Sequence, residues 1–145
     1  MKQFTLPKTE RLYLRESISE LFANGSSFTA FPYRVVYLIM EESDETRPSE
    51  DRQSQCSVMV VAPKKRFKHA VDRNHVKRLT REAYRKQKLP LWEVLKEQHK
   101  AIEVAFIYVD NHFISYDDTY AVIGKAVNRL VKIIAKGETK TNSTN

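Results

Sequence analysis

The residues best suited to chemistry lie between positions 64 and 88. This stretch holds eleven Lys or Arg side chains and two carboxylates, a net of +9, and the other 120 residues net −2. All of the chain's +7 charge is therefore focused in one segment, the footprint of a polyanion partner. On a helix at 100° per residue, Arg73, Lys77, Arg81 and Arg85 advance by about 40° at each step. Asn74 and Arg78 share their side, and Val76, Leu79 and Ala83 form a dry stripe for a core. A solvated helix face usually sets Glu four residues from Lys or Arg. Four like charges at successive i+4 positions instead repel one another unless an anion lies against them. The planar guanidinium fork suits phosphate and RNA base edges. Asn74 adds a donor and an acceptor able to read a base or a 2′-hydroxyl.

Other chemistries find less support. The segment lacks the bulky apolar face of a membrane-surface helix. It also lacks the second helix at turn distance, or the dimerisation heptad, of a DNA reader. His69, His75, His99 and His112 have no partner at zinc-ligand spacing. Cys56 opens an apolar strand as a small core residue. Asp117 and Asp118 start a helix, where carboxylates offset the dipole. No phosphate-cradling glycine loop is present. No catalytic and no metal-binding residue is assigned to the protein. On the residues alone, a structural rRNA-binding module of the ribosomal-protein kind stays open as an alternative to an RNA-processing subunit.

Periodicity and punctuation give the elements that must hold this segment. Ile18, Leu21 and Phe22 at helical spacing predict a helix over 15–24, with Ser17 and Glu20 as a capping box and Asn24-Gly25 as a left-handed stop. Ser26–Ala30 reads as a short edge strand. Tyr33–Met40 reads as a strand with Tyr33, Val35, Tyr37 and Ile39 on one face and Arg34, Val36 and Leu38 on the other. Residues 41–55 form a polar, acidic loop containing Pro48. Ser57–Ala62, continuously apolar and β-branched, predicts a central strand. Val71–Lys88 is the basic helix, ending near Pro90; Leu91–His99 adds a turn or two of helix, with Trp92 covering the core edge. Ile102–Val109 is a further strand, nearly all apolar. Ser115, with Asp118 three residues on, caps a last helix whose stripe is Tyr120, Ile123, Val127, Leu130 and Ile134, and Gly137 ends it.

The fold class is α+β, an α/β sandwich with one mixed sheet of about four strands in the order α-β-β-β-α-β-α. A flexible arm (1–14), a single domain (15–136) and a disordered tail (137–145) are expected. No run approaches the roughly 18 apolar residues of a membrane span, and the charged N-terminus has no apolar signal-peptide segment. The lone Cys56 can form no internal disulfide, which fits a reducing, cytoplasmic setting.

The run PKKRFKHAVDRNHVKRLTREAYR, Pro63 to Arg85, resembles the signature of the protein subunit of bacterial ribonuclease P. That signature is a strand, two lysines, then AV-x-RN-x-x-KR-x-x-RE-x-x-R, met by Ala70-Val71, Arg73-Asn74, Lys77-Arg78, Arg81-Glu82 and Arg85. The loop after Lys64-Lys65 is one residue longer than the pattern. The resemblance extends over roughly residues 5–136. It implies a left-handed βαβ crossover joining Ser57–Ala62 to Ile102–Val109 as adjacent parallel strands, a fold also seen in a ribosomal small-subunit protein domain. It implies binding of a catalytic RNA through Lys64, Lys65, Arg66, Arg73, Asn74, Lys77, Arg78, Arg81 and Arg85. It further implies a cleft between the first helix and the sheet for the single-stranded 5′ leader of precursor tRNA, where Phe22 and Tyr37 would stack on bases. The implied enzyme is an endoribonuclease of tRNA 5′ maturation. Its hydrolysis is carried out by Mg2+ ions held mainly by the RNA subunit.

Overall fold

The computed structural model describes residues 15–41 and 56–136. The expected arm, all but the first residue of the acidic loop, the tail and the Gly137 stop lie outside the described residues. Among the described residues the order is α1 (Arg15–Asn24), β1 (Ser26–Ala30), β2 (Tyr33–Glu41), β3 (Cys56–Val61), α2 (Ala70–Gln87), α3 (Leu89–Gln98), β4 (Lys100–Tyr108) and α4 (Tyr116–Ala135). No described helix is long and apolar enough to cross a membrane.

The strands form one mixed sheet in the order β1-β2-β4-β3. β1 and β2 pair antiparallel, β2 and β4 antiparallel, and β3 and β4 parallel. The expected parallel neighbours are therefore present, joined through α2 and α3. The expectation that Ser57–Ala62 is central is corrected: β3 is an edge strand, and the central position beside β2 belongs to β4. Continuous apolar sequence reports cover on both faces rather than neighbours on both sides. In β3 only alternate residues are fully buried, whereas β4 is buried at every position but Ile107.

Strand parity divides the sheet into two faces. Tyr33, Val35, Ile39, Val58, Val60, Val104 and Phe106 face the main core, which α2, α3 and α4 cover. On the opposite face Leu21 of α1 packs with Val36 and Ala105, flanked by half-buried Leu38, Met59 and Ile107. One ten-residue helix covers only part of that face, so Arg34 is exposed and Val61 half-buried.

The helix ends differ from expectation in three places. α1 begins at Arg15, so Ser17 lies in its first turn and is not the N-cap. Gly25 is not in the left-handed region. Its N–H bonds the Leu21 carbonyl at 2.8 Å, and a Cβ there would stand 2.5 Å from that oxygen and 2.7 Å from the Tyr37 carbonyl oxygen. Glycine is required by the close approach of the helix end to β2. Finally, Leu89–Gln98 is a full helix, making the order α-β-β-β-α-α-β-α. Pro90 sits in its first turn, where the missing N–H costs nothing, and left-handed His99 closes it. Buried Leu91, Val94 and Leu95 provide its apolar face, and Trp92 packs half-buried against the core as expected. The expected cap of α4 is observed, the Asp118 N–H donating to Ser115 Oγ at 3.0 Å.

Because both atoms crowding a Gly25 side chain are backbone oxygens, Gly25→Ala must move α1 or β2. A loss of about 1–3 kcal/mol is expected, measured by urea unfolding. An unchanged midpoint would show that α1 docks less tightly than described.

Candidate nucleic-acid interface

α2 carries the cations, and its rotation decides how they are shown. The buried residues are Val76, Thr80, Ala83 and Tyr84. Against the expected stripe, Thr80 and Tyr84 have joined it and Leu79 is only half-buried. Both additions are polar residues with buried partners. Thr80 Oγ1 bonds the Val76 carbonyl at 2.8 Å and meets the Tyr33 hydroxyl at 2.5 Å. The Tyr84 hydroxyl meets Cys56 Sγ at 3.2 Å, so Cys56 is the buried core residue expected. Burial pushes the Tyr33 hydroxyl pKa up and keeps it a neutral partner.

This rotation brings Arg73, Lys77, Arg81 and Arg85 to the border of the core, all half-buried, and leaves Asn74 and Arg78 exposed. The row thus runs obliquely along the helix edge instead of standing out in solvent. Arg73 Nη1 donates to the Phe67 and Lys68 carbonyls at 3.0 and 2.9 Å, tying the basic loop to the start of α2. Arg85 clamps Glu82 through Nη2 at 2.6 Å and Nε at 3.3 Å, with Lys86 Nζ 3.8 Å from the same carboxylate. That hydrogen bond, with the charges of Arg85 and Lys86, holds the Glu82 carboxyl below the usual carboxylate range. The repulsion along the row is thus relieved at its C-terminal end. Arg78 Nη2 stands 3.3 Å from His75 Nδ1.

The loop before the helix completes the surface. The Arg66 and Phe67 N–H groups bond the Pro63 carbonyl in a tight turn, leaving Lys64 and Lys65 exposed. Arg66 is half-buried and reaches Asn111 Oδ1 at 3.3 Å. The nine predicted RNA-binding residues are therefore brought together in one loop and one helix. Within that group Arg66, Arg73 and Arg85 also hold the protein's own structure.

The two residues predicted for a leader cleft are not brought together. Phe22 on α1 is 47% exposed, so it is not core. Tyr37 pairs with Val104 on the main-core face and packs on Phe28, ring centroids 5.9 Å apart. The sheet residue that meets α1 is Val36, one position earlier, so Tyr37 lies on the wrong side of the sheet for a cleft shared with Phe22. Two features escaped the sequence reading. Lys125, Arg129, Lys132 and Lys136 line an exposed groove along α4, a row visible in their i, i+4, i+7, i+11 spacing, with Arg129 over the Phe28 ring at 4.5 Å. Phe113 is exposed in the loop after β4, where no periodicity marks it.

Comparisons with known proteins converge. A family profile described as Ribonuclease P matches residues 6–131. A ribonuclease P protein component of Porphyromonas gingivalis is 39% identical over 127 residues, covering 88% of this chain and 87% of its own length. One of Chlorobium phaeobacteroides is 30% identical over 110 residues, 72% of each chain. In fold, the RNase P protein of Staphylococcus aureus superposes with a TM-score of 0.57 at 16% identity, over 88% of this chain and 99% of its own. That of Thermotoga maritima gives 0.52 at 23% identity, over 86% and 97%.

The contacts separate structural from displayed cations. Arg73→Ala removes two charge-assisted bonds to loop carbonyls and should cost about 1–3 kcal/mol, whereas Arg78→Ala should leave the melting temperature within error. Equal effects would contradict this division. For Glu82, the pKa lies lower folded than unfolded, so its pairing stabilises above the unfolded carboxyl's titration and fades as pH falls through the folded value. Glu82→Gln should therefore lower the melting temperature at pH 7, and the difference should close in acid. A gap that persists once the folded-state carboxyl is protonated would point to packing instead.

Proposed function

Because the chain belongs to the ribonuclease P protein component family, we propose that it binds the catalytic RNA of ribonuclease P and the 5′ leader of precursor tRNA, promoting removal of that leader. The family makes it a protein subunit of the ribonucleoprotein that matures tRNA 5′ ends, with an RNA partner. The finer assignment is supported chiefly by one observation: the family's basic signature is presented as a contiguous surface of loop 64–68 and helix α2. Arg78, Asn74, Lys64 and Lys65 are its exposed members, suited to phosphates and to a 2′-hydroxyl or base edge. Arg73 and Arg66 set the loop against which the RNA would lie.

The leader is assigned to the half-covered sheet face beside α1. There Phe22 offers an exposed ring, and Leu38, Met59, Val61 and Ile107 offer half-buried apolar surface. Tyr37 is withdrawn from this role by its place on the opposite face. Mg2+ enters with the RNA and supplies activation of the hydrolytic water. The ion is assigned to the RNA because the family resemblance implies it, and no step is routed through this chain. The particle's place is the cytoplasm, where precursor tRNA is made.

The direct test is precursor-tRNA cleavage by the purified protein with and without a bacterial catalytic RNA. Cleavage stimulated at low magnesium only when both are present is expected, and no stimulation would sink the proposal. Binding to that RNA should weaken with salt with a log–log slope of order −4 for about five phosphates, and Arg78→Ala should flatten it by about one. Phe22→Ala should assemble normally yet bind leader-bearing precursor less tightly, by about 1–3 kcal/mol per lost stack. Unchanged preference over mature tRNA would remove Phe22 from the site.

A further inference from the structure

Four aromatic rings form a continuous path from the core to the surface beside the basic loop. Tyr33 and Tyr108 meet edge to face at 5.2 Å, Tyr108 and Phe67 lie 5.6 Å apart, and Phe67 and Phe113 are stacked at 4.9 Å with 13° between planes. Tyr33, Tyr108 and Phe67 are buried, whereas Phe113 is 48% exposed. Among the exposed aromatic rings of the described residues, Phe113 alone is stacked parallel on a buried ring. His75 of α2 abuts it edge-on at 5.3 Å.

The loop that carries this ring is held. The Tyr108 hydroxyl donates to the His112 carbonyl at 2.6 Å, and the Asn111 N–H donates to Asp110 Oδ1 at 2.8 Å. Two cations contact residues next to the ring. Arg66, next to Phe67 in sequence, reaches Asn111, and Arg78 contacts the His75 that touches the ring. Asp110 is the nearby carboxylate, and its Oδ1 faces the Asn111 N–H and His112 Nδ1. Asn111 and His112 are themselves exposed.

We propose that Phe113 is a stacking platform for one unpaired RNA base, with Arg66 and Arg78 receiving the phosphates on either side of it. The proposal rests on the RNA-binding reading above and adds a contact that the basic signature does not contain. A solitary exposed phenylalanine needs no explanation. This one is half-exposed yet stacked on a buried ring, with Arg66 on the neighbouring Asn111 and Arg78 on the adjoining His75, so a base could add to a preformed stack at little cost in side-chain ordering. Unpaired bases are the part of RNA that proteins recognise in this way.

The base could come from the catalytic RNA or from the precursor's leader, and one variant can report on both. In a Trp92→Phe background, Phe113→Trp places the sole tryptophan on the platform. Its emission should be quenched when catalytic RNA is added if the base belongs to that RNA, or only on adding leader-bearing precursor to the assembled particle if it belongs to the leader. Separately, Phe113→Leu keeps apolar volume without a ring and should weaken the responding step about tenfold, within the range of single-base stacking, while Phe113→Tyr should stay within about twofold. Unquenched emission in both arms with assembly intact, or Leu and Tyr variants of equal affinity, would overturn the platform and leave the wider reading standing. Failure of the unmodified protein to bind the catalytic RNA would remove both. Melting temperatures of all variants, expected to agree within a few degrees, exclude misfolding as the cause.

Discussion

The angle at which α2 is turned about its own axis governs what this protein shows to solvent. Two buried polar contacts set that angle: Tyr33 with Thr80, and Tyr84 with Cys56. Each joins the helix to a different strand, β2 and β3, so the helix is fixed at two points roughly one turn apart. Apolar packing tolerates some slippage, but a buried hydroxyl without its partner costs on the order of 1–3 kcal/mol, which makes these contacts selective for one rotation. From that rotation follow the half-buried row of Arg73, Lys77, Arg81 and Arg85 and the full display of Asn74 and Arg78.

Those contacts also mark the limit of legibility in the sequence. That 71–88 is a helix and that the cations gather on it could be read from spacing and charge. Its dry side could be read only in part, because Thr80 and Tyr84 are of types that serve equally well at a surface, and only their partners from distant strands identify them as core. The strands behave likewise. Apolar runs located β3 and β4, yet nothing local says that β4 is flanked on both sides and β3 on one, since strand order is decided by pairing across the chain. Parity within β2 was legible, and it placed Tyr37 with Tyr33 and Val35. What cannot be read locally is which face α1 covers, so nothing in the sequence itself checks the resemblance that puts Tyr37 in a cleft where Val36 stands.

The basic signature fares differently because it is dense. Loop 64–68 and α2 are contiguous in sequence, so no long-range pairing is needed to bring their side chains together. What the sequence could not apportion is the work of each. Arg73 bonds two loop carbonyls and Arg85 clamps Glu82, contacts that depend on loop geometry and on χ angles rather than on spacing.

That apportioning bears on how RNA would be gripped. A guanidinium has five N–H donors, so Arg73 can satisfy two carbonyls with Nη1 and still present others outward. A side chain already held in this way loses little freedom when a phosphate arrives, whereas ordering a free lysine costs up to about 2 kcal/mol. In the proposed RNA contact the exposed Lys64 and Lys65 would therefore add attraction and salt dependence, with little control of geometry. The tied Arg66 and Arg73 do the reverse, fixing where the loop, and through Phe67 the aromatic stack, stands relative to α2. On the proposed reading, geometry would be set mainly by the tied cations and long-range attraction mainly by the exposed ones. Such a division would give the bonds that Arg66 and Arg73 make within the protein a use in the proposed RNA contact.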